Sequence, residues 1–226
     1  MSEIYEIEIK TLLGDAVGAE TFRRRLKDHY PDLVLDDTET QLNHYFKTTG
    51  NFQMLAKRVA EYLDVQQTAH LNTILEKGSS FSLRTRQSEI AVLLVIKASV
   101  DEGTSDNTVS RMEFEAAMPM DLEDLDFLLL ETGFEYQAKW SRARETYTAG
   151  DMTICLDKNA GYGYLAEFEK VITDGSSIEE VRQSLLTEMQ AVGVAELSQD
   201  RLERMFAYYN EHWQDYYGTD KTFTIE

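Results

Sequence analysis

The chain has 226 residues, enough for one large domain or two small ones, and its 42% hydrophobic and 28% charged residues are ordinary for a globular protein. Its 22 basic against 41 acidic residues leave a net charge of −19, so the surface as a whole repels nucleic acid and anionic membrane. An anionic ligand would need a local basic pocket shielded from that field.

The first element is marked by EIEIK at residues 6–10. Strict alternation predicts a β-strand with Glu6, Glu8 and Lys10 on one face and Ile7 and Ile9 on the other. Residues 19–30, AETFRRRLKDHY, have helical spacing with Phe22 and Leu26 as apolar points, which puts Arg23, Arg24 and Arg25 on a solvated face. TQLNHYFKT (40–48) reads as a strand. Residues 51–77 read as helical in their first half and end at Gly78. FSLRTRQ (81–87) and IAVLLVIKAS (90–99) are strands, DEGTSDNT (101–108) a polar turn and SRMEFEAAM (110–118) another strand. Pro119 introduces a helix over 121–132, stopped by Gly133. Three strands follow at 134–150, 151–159 and 164–173, separated by short Gly/Asn/Asp turns. The remainder is helical, over 176–192 and 198–217, each segment opening on serine.

About eight strands with helices at the start, middle and end predict an antiparallel α+β plan, and eight strands suffice to close a barrel. One cysteine, Cys155, excludes an internal disulfide, and four scattered histidines show no zinc spacing. The N-terminus lacks a signal-peptide profile, and the most apolar run carries Lys97 and is too short to span a bilayer. A soluble cytoplasmic protein is expected. With two prolines and no low-complexity linker, a single domain is the simpler reading.

The pattern of the first strand recurs. Arg84 and Arg86 flank Thr85; Arg111, Glu113 and Glu115 flank Met112 and Phe114; Arg142 and Arg144 flank Ala143; Glu167 and Glu169 flank Phe168. Lys97 and Asp157 complete the set, which holds seven basic and seven acidic residues in a chain at −19. A wet outer face would more often interleave signs along each strand; here arginine pairs and glutamate pairs keep to separate strands. With the charged face inward and helices packed on the apolar face, the sheet becomes a hydrophilic tunnel. Buried charges are tolerated only when paired or ligated. Adjacent carboxylates without thiolate or imidazole suit Mg²⁺ or Mn²⁺, and arginine pairs suit phosphate oxygens.

EIEIK resembles the ExExK signature of the CYTH superfamily, the triphosphate tunnel metalloenzymes, which include thiamine triphosphatases, inorganic tripolyphosphatases and class IV adenylyl cyclases. In the expected order, QLNHYF, SLRTR, LLVIK, RMEFE, RARETY, ICLD and AEFE resemble further motifs of that family over roughly residues 3 to 190. The resemblance implies a closed eight-stranded antiparallel β-barrel with helices outside. It spans 1–226 as a single tunnel domain, with a helical insertion at 50–78 and a helical C-terminal tail at 176–217. It implies Glu6, Glu8, Glu167 and Glu169 as metal ligands, with Glu113 and Glu115 near a second cation. Lys10, Arg84, Arg86, Lys97, Arg111, Arg142 and Arg144 are implied as triphosphate ligands, and Asp157, Lys97 and Arg144 as the catalytic set. Arg142 departs from the family, where lysine is common.

The leading expectation is Mg²⁺- or Mn²⁺-dependent hydrolysis of a small triphosphate. The alternative is a class IV adenylyl cyclase forming cyclic AMP and pyrophosphate, and behind it a non-catalytic polyphosphate-binding module. No nucleic-acid or membrane partner is expected. The aromatic-rich FAYYNEHWQDYY (206–217) reads as core packing or a homodimer contact, before a nucleobase platform.

Overall fold

The computed structural model describes residues 5–99, 111–173 and 177–225, without the side chains of Tyr5 and Arg111. The polar turn expected at 101–108 lies outside the described residues. In chain order the elements are β1 (Tyr5–Gly14), α1 (Ala16–His29), β2 (Val34–Lys47), α2 (Phe52–Val59), a 3-10 turn (Ala60–Tyr62), α3 (Val65–Lys77), β3 (Ser79–Gln87), β4 (Val92–Ser99), β5 (Arg111–Met118), α4 (Leu122–Glu131), β6 (Glu135–Ala149), β7 (Met152–Asn159), β8 (Gly163–Ile172), α5 (Ile178–Ala191) and α6 (Gln199–Tyr216).

The strands follow the hydrogen-bonded order β1-β8-β7-β6-β2-β3-β4-β5, and the ladders β1–β8, β7–β8, β6–β7, β2–β3, β3–β4 and β4–β5 are antiparallel. The eight-stranded antiparallel α+β plan expected from the alternation is present. Closure is not: the order begins at β1 and ends at β5, with no ladder joining the two among the described residues. At Lys10 the β1 carbonyl accepts instead from the backbone N–H of Leu197, 2.7 Å away in the α5–α6 connection. A covered edge offers no template for another strand at that point.

The described chain forms two compact units. The first holds residues 5–40, 141–173 and 177–225, hence β1, α1, β7, β8, α5, α6 and the outer parts of β2 and β6. Its apolar core joins Ile7 and Ile9 of β1, Ile154 and Leu156 of β7 and Phe168 of β8 to Phe22 and Leu26 of α1 and Leu185 and Met189 of α5. Phe22 meets Phe168 edge-on at 5.9 Å. Burying one such ring contributes roughly 2–3 kcal/mol. α1 starts at Asp15, whose carboxylate accepts from the N–H groups of Val17 and Gly18.

The basic run of α1 departs from expectation at Arg23, which is half-buried and forks onto Glu145 of β6, with Nε at 2.9 Å and Nη2 at 2.7 Å. Arg24 and Arg25 are exposed, as a solvated face requires, and Arg25 donates to the Gly193 carbonyl in the α5–α6 connection. The β7–β8 turn uses Gly161 and Gly163 at positive φ, and a Cβ on Gly163 would lie 2.2 Å from the Gly14 carbonyl oxygen. After α6 the chain returns along this turn, where Phe223 stacks near Tyr208 at 4.7 Å and Tyr162 at 5.3 Å. Tyr209 of α6 is fully buried, so part of the aromatic run is core.

The second unit holds residues 41–99 and 111–140. Phe46, Leu83, Leu94, Ile96 and Phe114 of its strands pack against Leu55, Leu71, Ile74, Leu125 and Leu129 of α2, α3 and α4. Residues 65–77, beyond the half of the 51–77 segment that read as helical, form α3 behind an Asp64–Gln67 capping box. A buried polar knot fastens α4 to the strands: the Asp126 carboxylate contacts His44 Nδ1 at 2.6 Å and accepts from Thr85 Oγ1 at 2.6 Å and Tyr136 OH at 2.7 Å. No described helix is long and apolar enough to cross a membrane.

Candidate functional site

In both units helices cover the apolar strand face, so alternation leaves the charged residues on the opposite face. In the first unit, β1–β8 register places Glu8 opposite Glu169 and Lys10 opposite Glu167, while β6–β7 register places Arg144 opposite Asp157. Two groups form on these strands.

The acidic group is Glu6, Glu8 and Glu169, which offer carboxylate oxygens all within 4.8 Å of one another. Burial, then the charges of Glu6 and Glu8, push the Glu169 carboxyl up to about 7. Repulsion of this kind is what a divalent cation between the oxygens would relieve, and an all-oxygen donor set fits a hard cation. The residues present therefore fit the metal that the sequence implied.

The mixed-charge group lies deeper along the same strands. Glu167 receives Arg144 Nη2 at 2.6 Å and faces Lys10 Nζ at 3.4 Å, and Lys10 also contacts Glu8. Burial alone would raise the Glu167 pKa, but Lys10, Arg144 and Arg142 outweigh it and hold the carboxyl well below its usual range. Burial likewise opposes the charge of Lys10, and Glu167 and Glu8 reverse that effect and raise its pKa. Asp157, buried on β7, accepts Arg142 Nη1 at 2.9 Å and Arg144 Nε and Nη2 at 2.7 Å each. Cys155 faces Glu167 across β7–β8, and burial pushes its thiol up to about 11, so it carries no charge at neutral pH.

The sequence grouped Glu167 with the metal ligands; the three clustered carboxylates are Glu6, Glu8 and Glu169, and Glu167 is held by Lys10 and Arg144.

In the second unit, Lys97 lies 3.1 Å from Glu113, and Arg86 Nη1 lies 3.5 Å from Glu115. Arg84 donates Nη1 to the Tyr45 hydroxyl at 2.6 Å, while Arg86 donates Nε to Asn43 Oδ1 at 3.2 Å. The Arg84 Nε is buried and has no hydrogen-bond partner among the described residues, a donor suited to an anionic oxygen. Arg111 begins β5, and its side chain lies outside the described residues.

Sequence reasoning did not assign Asn43 a role. Alternation along QLNHYF places Gln41, Asn43 and Tyr45 on one face, so the signal was available. Lys139 sits over the Tyr136 ring at 4.2 Å and 3.8 Å from Asp126.

The CYTH domain family model matches residues 67–202, more than half of the chain. A search of the curated proteins found no match. Among solved structures, a conserved hypothetical protein of Pyrococcus furiosus is similar at 20% identity and a TM-score of 0.58, over 86% of this chain and 93% of that one. A Pyrococcus horikoshii OT3 protein is similar at 20% identity and the same TM-score, over 86% and 94%. A candidate adenylate cyclase of Vibrio parahaemolyticus is similar at 15% identity and a TM-score of 0.57, over 90% and 98%. At these identities the likeness is one of fold. With the family match running from α3 to the first turn of α6 and the charge-bearing strand faces in place, the chain belongs to the CYTH domain family.

Proposed function

We propose that this protein hydrolyses a small triphosphate, inorganic tripolyphosphate or a nucleoside or thiamine triphosphate, with Mg²⁺ or Mn²⁺. CYTH enzymes are triphosphatases or cyclases that bind triphosphates and use divalent metals. The observation that carries the reading is the clustering of Glu6, Glu8 and Glu169 on β1 and β8, the strands that also bear Lys10 and Glu167, the latter held by Arg144 of β6. A bound divalent cation supplies positive charge to phosphate oxygens where negative charge develops.

The chain's own residues do the rest. Lys10, Arg142 and Arg144 of the first unit and Arg84, Arg86, Lys97 and Arg111 of the second are cations suited to phosphate oxygens. Water forms the new P–O bond at a terminal phosphorus, the anhydride P–O bond breaks, and its electron pair leaves with the bridging oxygen of the departing phosphates. The proton of the attacking water passes to solvent. Asp157 contributes through Arg142 and Arg144, whose guanidinium groups it orients, and Arg144 stabilises charge on the transferred group. Glu113 and Glu115 are further carboxylates that would serve a second cation. A net charge of −19 disfavours nucleic acid and anionic membrane as partners and fits a cytoplasmic enzyme of small molecules.

The test separates products after incubation with Mg²⁺ and either tripolyphosphate or ATP. Orthophosphate from tripolyphosphate is expected. Cyclic AMP with pyrophosphate from ATP, and no orthophosphate, would replace the hydrolase by a cyclase. Tight binding of tripolyphosphate without turnover would leave only a binding module.

A further inference from the structure

We infer that Tyr45 is a positioning residue for triphosphate recognition, acting through Arg84; this rests on the reading that Arg84 binds phosphate oxygen. β2–β3 register sets Tyr45 directly across from Arg84 and Asn43 directly across from Arg86. Each β2 residue takes a hydrogen bond from the arginine opposite it: Arg84 Nη1 to Tyr45 OH at 2.6 Å and Arg86 Nε to Asn43 Oδ1 at 3.2 Å. The Arg84 guanidinium carbon also lies 5.5 Å from the centroid of the Tyr45 ring, so the ring and its hydroxyl hold the same group. Tyr45 is itself braced, meeting Trp140 edge-on at 6.3 Å.

The consequence is directional. An arginine side chain left to itself loses rotamer entropy when it binds a ligand. The Tyr45 hydroxyl takes one Nη1 donor and so fixes the plane of the guanidinium and the direction of its remaining N–H donors. A guanidinium held this way presents a pre-set donor edge to a phosphate oxygen. Removing the hydroxyl keeps the ring contacts and frees the guanidinium to turn.

The test is calorimetric binding of tripolyphosphate to the full chain in EDTA, where metal-dependent turnover stops, using Tyr45→Phe, Arg84→Ala and the double variant. Tyr45→Phe should weaken binding by about fivefold to tenfold, the scale of one charge-assisted hydrogen bond, while its melting temperature stays near that of the parent. Arg84→Ala should weaken binding more, and adding Tyr45→Phe to it should change little further. Parent-like binding by Tyr45→Phe alongside a weakened Arg84→Ala would overturn the positioning role alone. An undiminished loss in the Arg84→Ala background would overturn it too, because Tyr45 would then act independently of Arg84. Parent-like binding by Arg84→Ala would sink the phosphate-binding reading of Arg84, and the inference with it. Tyr45→Leu, read in the same cycle against Arg84→Ala, carries the test should Tyr45→Phe fold poorly.

Discussion

At Asp157 two guanidinium groups converge on one buried carboxylate, with three N–H donors within 2.9 Å. Such a group is tolerated because each oxygen finds a cationic donor, and removing its charge strands the arginines in a low-dielectric place. Asp157→Asn should therefore cost about 3 kcal/mol of folding stability, read as a lower urea midpoint at unchanged slope. A midpoint equal to the parent's would mean that Arg142 and Arg144 do not depend on this carboxylate. Much of the site was legible at this scale, because alternation alone sorts Glu6, Glu8 and Lys10 from Ile7 and Ile9. Pairing was not legible. Whether Glu167 meets a cation or another carboxylate depends on cross-strand register, which puts Lys10 opposite it and Arg144 within 2.6 Å. The Tyr45–Arg84 and Asn43–Arg86 contacts are likewise products of β2–β3 register.

Among the elements, α4 shows how a helix is fastened by more than its apolar stripe. Burial works against the Asp126 charge, but hydrogen bonds from His44, Thr85 and Tyr136 more than offset it and lower its pKa. A carboxylate with a depressed folded pKa contributes stability above its unfolded pKa of about 4, and loses it as pH falls through the folded value. Stability measured by urea titration at stepped pH should thus decline in acid below about pH 4, and Asp126→Asn should flatten that decline while lowering stability at neutral pH. Identical acid profiles for parent and variant would remove Asp126 from this role. The strands were legible because their alternation is strict. The first residues of β2, Val34 to Glu39, were missed because they are mostly exposed and carry no apolar face. α3 lies within the helical insertion expected at 50–78, although its buried positions are few, Leu71 and Ile74, in an otherwise polar run.

For the whole molecule, a chain at −19 offers a polyanion a functional reading only through local arrangements that outweigh the overall field. Fold likeness at 15–20% identity locates the architecture, and the family match over residues 67–202 locates its class. The family match does not include the ExExK strand, so the account turns on whether Glu6, Glu8 and Glu169 hold a cation that hydrolysis needs. The direct measurement is Mn²⁺ titration followed by the free-ion electron paramagnetic resonance signal, paired with orthophosphate release from tripolyphosphate, for the parent and for Glu6→Gln with Glu8→Gln. The parent should bind Mn²⁺ and release orthophosphate, and the double variant should lose both. A double variant that binds Mn²⁺ and hydrolyses tripolyphosphate like the parent would contradict the account.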